Sequence, residues 1–272
     1  MWLLRNMNKD EILNMAEDPQ YIEGIYNYCD RWCERCPLTA RCSNYALTEK
    51  NWGKLSFQDL QNKAFWEKLK EMFQLTIEMF TEWAKEQGID SNQHLDGQAA
   101  AAEQSRREKA ESHELARAAR KYSDLVDQWF EQEQALFDER QEALNTIIEL
   151  GVGGDEPFEE AAHINDAVEV IRWYQHQIYI KCLRALTNHA ELEPDAEQSA
   201  LRQDAAGSVK VALIGMDRSI GAWGELYKSF PAGKDNILDV LLHLDRLRRK
   251  AEALFPQARS FLRPGFDTLA AL

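Results

Sequence analysis

Cys29, Cys33, Cys36 and Cys42 fall within one short stretch, YCDRWCERCPLTARCSNY, in the order C-x3-C-x2-C-x5-C. Thiolate sulfur is a soft ligand, and four cysteines complete the shell of a tetrahedral zinc ion or the corners of a [4Fe-4S] cube. A structural four-cysteine zinc site commonly joins two separated knuckles, each with a C-x2-C pair, and so ties distant parts of a small fold together. Here all four ligands come from one continuous segment, and a cube has separated corners that such a segment can wrap with uneven spacings. The expectation is a [4Fe-4S] cluster held by Cys29, Cys33, Cys36 and Cys42, with zinc as the alternative. The fifth cysteine, Cys182, lies between Ile178 and Leu186 on a helical apolar pattern and reads as a core thiol.

Local chain geometry adds detail to this expectation. A helix over 18–34, opened by Asp18-Pro19, would place Cys29 and Cys33 one turn apart on the same face. Pro37 then ends any helix and pushes Cys36 toward extended backbone, turning the chain back so that Cys42 can close the ring. Arg31, Arg35 and Arg41 interleave the cysteines, and positive charge there would offset thiolate charge and raise a cluster's potential.

The run Cys36-Pro37-Leu38-Thr39-Ala40-Arg41-Cys42, with Cys33 three residues earlier, resembles the cluster loop of endonuclease III-type and adenine-specific DNA glycosylases. That loop has the spacing C-x6-C-x2-C-x5-C, often with Pro-Leu after the third cysteine, and it carries a [4Fe-4S] cluster. The resemblance covers residues 29–42 only. The last three cysteines match, the first gap is x3 here, and in that family the loop lies near the other end of the catalytic domain. What it implies is a ligand role for the four cysteines and no DNA chemistry, because ELGVGGDEPF lacks the lysine and aspartate pattern around the family's hairpin. The triplet C-x3-C-x2-C is also similar to the radical-SAM motif, but Cys42 supplies a fourth ligand and the chain shows no strand pattern for that barrel.

A second constellation lies on helical stripes. Glu160-Ala161-Ala162-His163 is an E-x-x-H, which places a carboxylate and an imidazole on one helical face as in di-metal bundles. Glu133 and Arg140 interrupt the apolar stripe of the preceding helix. Such sites use two E-x-x-H motifs and two further carboxylates, and only one motif is present, so an internal Glu-Arg or Glu-His pair is the simpler expectation; Glu133, Glu160 and His163 remain the candidates for a second metal.

The elements that must position these residues are helical. Apolar residues recur at helical spacing almost throughout, and no stretch shows the bounded alternation of strands. The pattern predicts helices near 9–16, 18–34, 57–87, 104–150, 157–191, 197–229 and 235–254. The expected fold class is all-α, a helical bundle with an N-terminal cysteine-rich metal-binding loop, divided into 1–56 and 57–272. Gly207, Gly215, Gly221 and Gly224 inside one helix suggest close helix contact or a bend.

At 272 residues the chain can bury a core without disulfides. MWLLRNMNKDE offers four apolar residues before Arg5, too few for a signal-peptide core, and nothing later approaches a membrane span, so the expectation is a cytoplasmic protein without a membrane partner. The net charge of -14 disfavours nucleic acid as a partner. Between Asp124 and Glu169 fourteen acidic residues stand against one basic residue, Arg140, which makes 124–169 either a solvated face or a docking surface for a basic protein. The functional expectation is electron transfer or redox sensing at the cluster. The alternatives are an interaction or scaffold protein with a structural four-cysteine site, and a di-metal bundle enzyme.

Overall fold

The computed structural model of the chain describes residues 9–52, 63–88, 97–189 and 196–267. Every regular element among them is helical: α1 (Lys9–Glu17), α2 (Ser43–Trp52), α3 (Lys63–Glu86), α4 (Gly97–Ser112), α5 (Glu114–Gln132), α6 (Gln134–Glu149), α7 (Glu156–His189), α8 (Ala196–Ser229) and α9 (Lys234–Leu254). The chain divides into two compact units, Gln104–Leu262 and a second built from Met1–Glu103 with Arg263–Leu272. The expected boundary between 56 and 57, and the expected start of a helix at 57, lie outside the described residues.

The larger unit is built on α5, α7, α8 and α9. The stripe of α5 is buried as its spacing requires, with Leu115, Ala119, Tyr122, Val126 and Trp129 almost fully inside. Opposite it stand Ile171, Tyr174 and Ile178 of α7, Leu213, Met216 and Trp223 of α8, and Ile237 and Leu244 of α9, all without exposed surface. Each side chain of this size contributes about 1.5–3 kcal/mol on full burial. Trp129 meets Trp223 edge-on at 4.9 Å between ring centres and also touches Phe130 and Phe137, an arrangement that suits the ring quadrupoles. Two of the buried polar ends are bonded across helices: Trp223 Nε1 donates to Tyr122 Oη at 3.2 Å, and Gln175 Nε2 donates to the Ser123 carbonyl at 3.1 Å.

Among the four helix glycines, only Gly215 is shown to lie at a close contact. A β-carbon there would stand 2.8 Å from the Tyr174 ring, so α7 and α8 approach through it. Gly221 and Gly224 face open space.

The continuous helix expected over 104–150 is three helices. His113 caps α5, its Nδ1 accepting from Leu115 N at 3.1 Å, and Glu133 leaves the helical region with φ -103° and ψ 19° between α5 and α6. Neither break uses glycine or proline; side-chain capping and packing made them. The turn before α7 does use glycine, with Gly151, Gly153 and Gly154 all at positive φ, and Pro157 sits in the first turn of α7.

The smaller unit contains α1, α2, α3, the cysteine segment and the stretch from Arg263. The helix expected over 18–34 does not form. Asp18 Oδ1 accepts from Gln20 N at 2.8 Å, Gly24 takes φ 69°, and only 3-10 turns follow at Ile25–Asn27, Cys33–Arg35 and Thr39–Arg41. Cys29 and Cys33 are therefore not one helical turn apart. α3 carries Trp66, Phe73, Ile77 and Phe80 at helical spacing with half or more of each side chain exposed.

Candidate metal centre

The segment that bears the cysteines is closed at its base. Ile22 N donates to the Arg41 carbonyl at 3.0 Å, and Arg41 Nε donates to the Gln20 carbonyl at 3.3 Å, so the two ends of the loop lie side by side. Inside it, Arg31 adopts φ 59°, a left-handed conformation that costs a non-glycine residue roughly 1–2 kcal/mol. Asp30 Oδ1 accepts from Trp32 N across this bend at 3.3 Å. The reversal at Arg31 turns the chain between Cys29 and Cys33 without a helix. Cys36, as its following proline requires, is extended with ψ 122°, and Cys36 N and Cys42 N each donate to the carbonyl three residues back at 3.2 Å.

The result is that Cys29, Cys33, Cys36 and Cys42 line one recess, together with Ile25, Trp32, Tyr45 and Phe266. The recess is small, with a cavity volume of about 20 Å³. All four thiols are free and half-buried. Backbone amides already point at two of the sulfurs: Leu38 N donates to Cys36 Sγ and Tyr45 N to Cys42 Sγ, both at 3.4 Å. Cys29 Sγ is turned toward the Tyr26 carbonyl at 3.6 Å. Burial, and then the negative charge of its neighbours Cys29 and Cys42 with Glu34 and Cys36, pushes the Cys33 thiol up to about 11.

The wall of the recess is apolar, and the charged residues Asp30 and Arg31 also line it. Trp32 is buried, and the Arg35 guanidinium lies over its ring at 4.0 Å. Arg31, Glu34, Arg35 and Arg41 are exposed. Among the described residues no group of three or more His, Cys, Asp and Glu side chains could hold a metal ion.

Glu133, Glu160 and His163 are not gathered into such a group either. Arg140 donates from Nε to Glu160 Oε1 at 2.7 Å, and Glu133 Oε1 accepts from Asn236. His163, expected on the buried side, is exposed and borders a separate recess with Asp166, Arg218 and Glu225. Cys182 is fully buried, and burial pushes its thiol up to about 12, as an inert core position requires.

Sequence reasoning missed Gly265 and Phe266 as parts of the cysteine site. LRPGFD shows a turn signal in Pro264-Gly265, and nothing in its pattern says what that turn packs on. No protein-family model matches the chain, and neither a curated protein nor a solved structure matches it.

Proposed function

We propose that the loop of residues 29–42 holds one [4Fe-4S] cluster through Cys29, Cys33, Cys36 and Cys42, and that the protein transfers or senses electrons through it. The observation that carries this reading is that the four cysteines of one continuous segment line a single recess. A cube takes one thiolate at each of four separated irons, and its sulfides fill the space between them.

The residues present suit such a group. The Leu38 and Tyr45 amides on Cys36 and Cys42, and the Arg31 cation beside the recess, would offset the charge of the thiolates and raise the potential. The bound cluster would supply a one-electron couple within about -700 to +450 mV. The chain's own part is to keep one wall dry with Ile25 and Trp32 and to leave Arg31 exposed to a partner. Four protein ligands leave no iron for substrate, so a role in electron transfer or sensing is favoured over catalysis. A reducing, cytoplasmic setting suits free thiols. The acidic stretch 124–169, on α5, α6 and α7, would attract a basic protein partner rather than nucleic acid.

Anaerobic purification followed by iron, sulfide and zinc analysis tests the reading. Brown protein with about four irons and four sulfides per chain is the expected result. One equivalent of zinc without sulfide overturns it.

A specific observation favours a second reading, an interaction protein whose metal site only holds the loop together. Trp66, Phe73, Ile77 and Phe80 expose one apolar face of α3, and such faces commonly mark protein contacts. Dye-mediated redox titration separates the two: a reversible couple supports the first, and a cluster or zinc ion with no accessible couple supports the second. No described helix is long and apolar enough to cross a membrane.

A further inference from the structure

The stretch Arg263–Asp267 belongs to the same compact unit as the cysteine loop although nearly the whole chain separates them. It is folded on itself: Phe266 N and Asp267 N donate to the Arg263 carbonyl at 3.2 and 3.1 Å, and Arg263 N donates to Asp267 Oδ2 at 2.9 Å. The Arg263 guanidinium pairs with Asp267 at 3.0 Å and lies over the Phe266 ring at 4.8 Å. Arg263 and Asp267 keep only 15% and 22% of their side-chain surface exposed, so this is a partly dried pair rather than a surface one.

The seat of this turn is tight. Gly265 is at φ 76°, and a β-carbon there would stand 2.8 Å from Ile22 Cδ1 and 3.1 Å from Ile25 Cδ1. Any other residue there would have to push aside the ends of the Ile22 and Ile25 side chains and would be strained by the positive φ. The next residue, Phe266, lines the recess beside the four cysteines. A glycine fitted against Ile22 and Ile25 and an aromatic residue lining the recess are two separate observations that point to one place.

We propose that Arg263–Asp267 is a strap that closes the cysteine site, with Phe266 as the side chain that keeps oxidants and other small reagents from the sulfurs and from the group they hold. Seating of the strap and occupancy of the site are then linked: whatever holds the loop in shape holds the strap, and a seated strap slows loss of the bound group. Dioxygen is the relevant oxidant. On the cluster reading it would take one electron from the cluster and leave as superoxide, the oxidised cluster then shedding iron, and the strap acts on the access step. The bound-group half of the inference rests on the cluster reading; the shielding of the thiols does not.

The experiment has two arms on the full-length protein. In the metal-free, reduced protein, alkylation of the loop thiols by N-ethylmaleimide is followed by peptide mass spectrometry. Phe266→Ala is expected to speed labelling of Cys29, Cys33, Cys36 and Cys42 by roughly threefold or more, since a side chain that covers a site also governs its opening. Phe266→Leu restores most of the protection, and Cys182 stays unlabelled in every variant. In the anaerobically loaded protein, exposure to air is followed by loss of the visible chromophore, with Phe266→Ala and Gly265→Val decaying several-fold faster than wild type and Leu262→Ala, an exposed neighbour, decaying like wild type. Equal labelling and equal decay in Phe266→Ala and wild type overturn the strap, even where iron and sulfide are bound. Faster labelling in a chain that binds zinc or no metal supports the strap and removes the cluster.

Discussion

A β-carbon on Gly215 of α8 would lie 2.8 Å from Cδ1 of Tyr174 on α7, and Tyr174 has no exposed surface into which to retreat. Two effects of alanine at this site therefore oppose each other. The gain in helix propensity is about 1 kcal/mol, and overpacking a rigid buried ring costs about 1–3 kcal/mol. Gly215→Ala is expected to lower the urea midpoint. Gly221, in the same helix with nothing within 4 Å of its added carbon, carries only the first term, so Gly221→Ala is expected to raise stability by about 0.5–1 kcal/mol. Opposite signs for two glycine substitutions six residues apart are the check; equal signs would mean that the α7–α8 contact is looser than described.

The Cys42 sulfur accepts the Tyr45 amide. On the proposed cluster reading Cys42 is the fourth ligand, so Cys42→Ala is expected to lose or convert the cluster, with iron falling well below that of wild type, while Cys182→Ala leaves the visible spectrum intact. A Cys42→Ala protein that retains four irons and binds S-adenosylmethionine would instead place the loop with the radical enzymes.

Alkali should unfold the larger unit through two buried acids. Burial pushes Cys182 up to about 12 from 9.0, and Tyr122 to about 12 from 10.0 despite the bond it accepts from Trp223. Both groups lose their protons earlier in the unfolded chain than in the folded one. Stability is therefore intact below pH 9 and falls as pH rises from there toward 12. Each pH unit of separation is worth about 1.4 kcal/mol, so Cys182 alone removes about 2 kcal/mol near pH 10.5. Urea midpoints at pH 8 and 10.5 for wild type and Cys182→Ala provide the measurement, and the variant should lose less between the two.

Arg140 and Glu160 form a pair with about a third of each side chain exposed, which bounds its contribution at about 0.2–1 kcal/mol. Glu160→Gln is expected to lower the melting temperature by about 1–3 °C. His163→Ala, at an exposed site, should do less. Neither change should alter the iron or zinc content, and a loss of bound metal in either would revive the di-metal reading.

The helices were legible because their signal is local. Leu115, Ala119, Tyr122, Val126 and Trp129 recur at helical spacing, and that periodicity by itself selects helix and names the buried face. The gathering of four cysteines in one segment was legible for the same reason, since C-x3-C-x2-C-x5-C is a short-range pattern, and Pro37 required the extended Cys36 that the structure has. What tertiary structure decided is where helices stop and what reaches across the chain. His113 and Glu133 end helices through caps and packing that carry no glycine or proline signal, and the segment 18–34 gave up its helical pattern for a bend at Arg31 that turns four thiols toward one recess. Gly265 and Phe266 joined that recess from the far end of the described chain. Their place depends on a contact with Ile22 and Ile25, and a contact between residues so distant leaves no periodic trace in either segment.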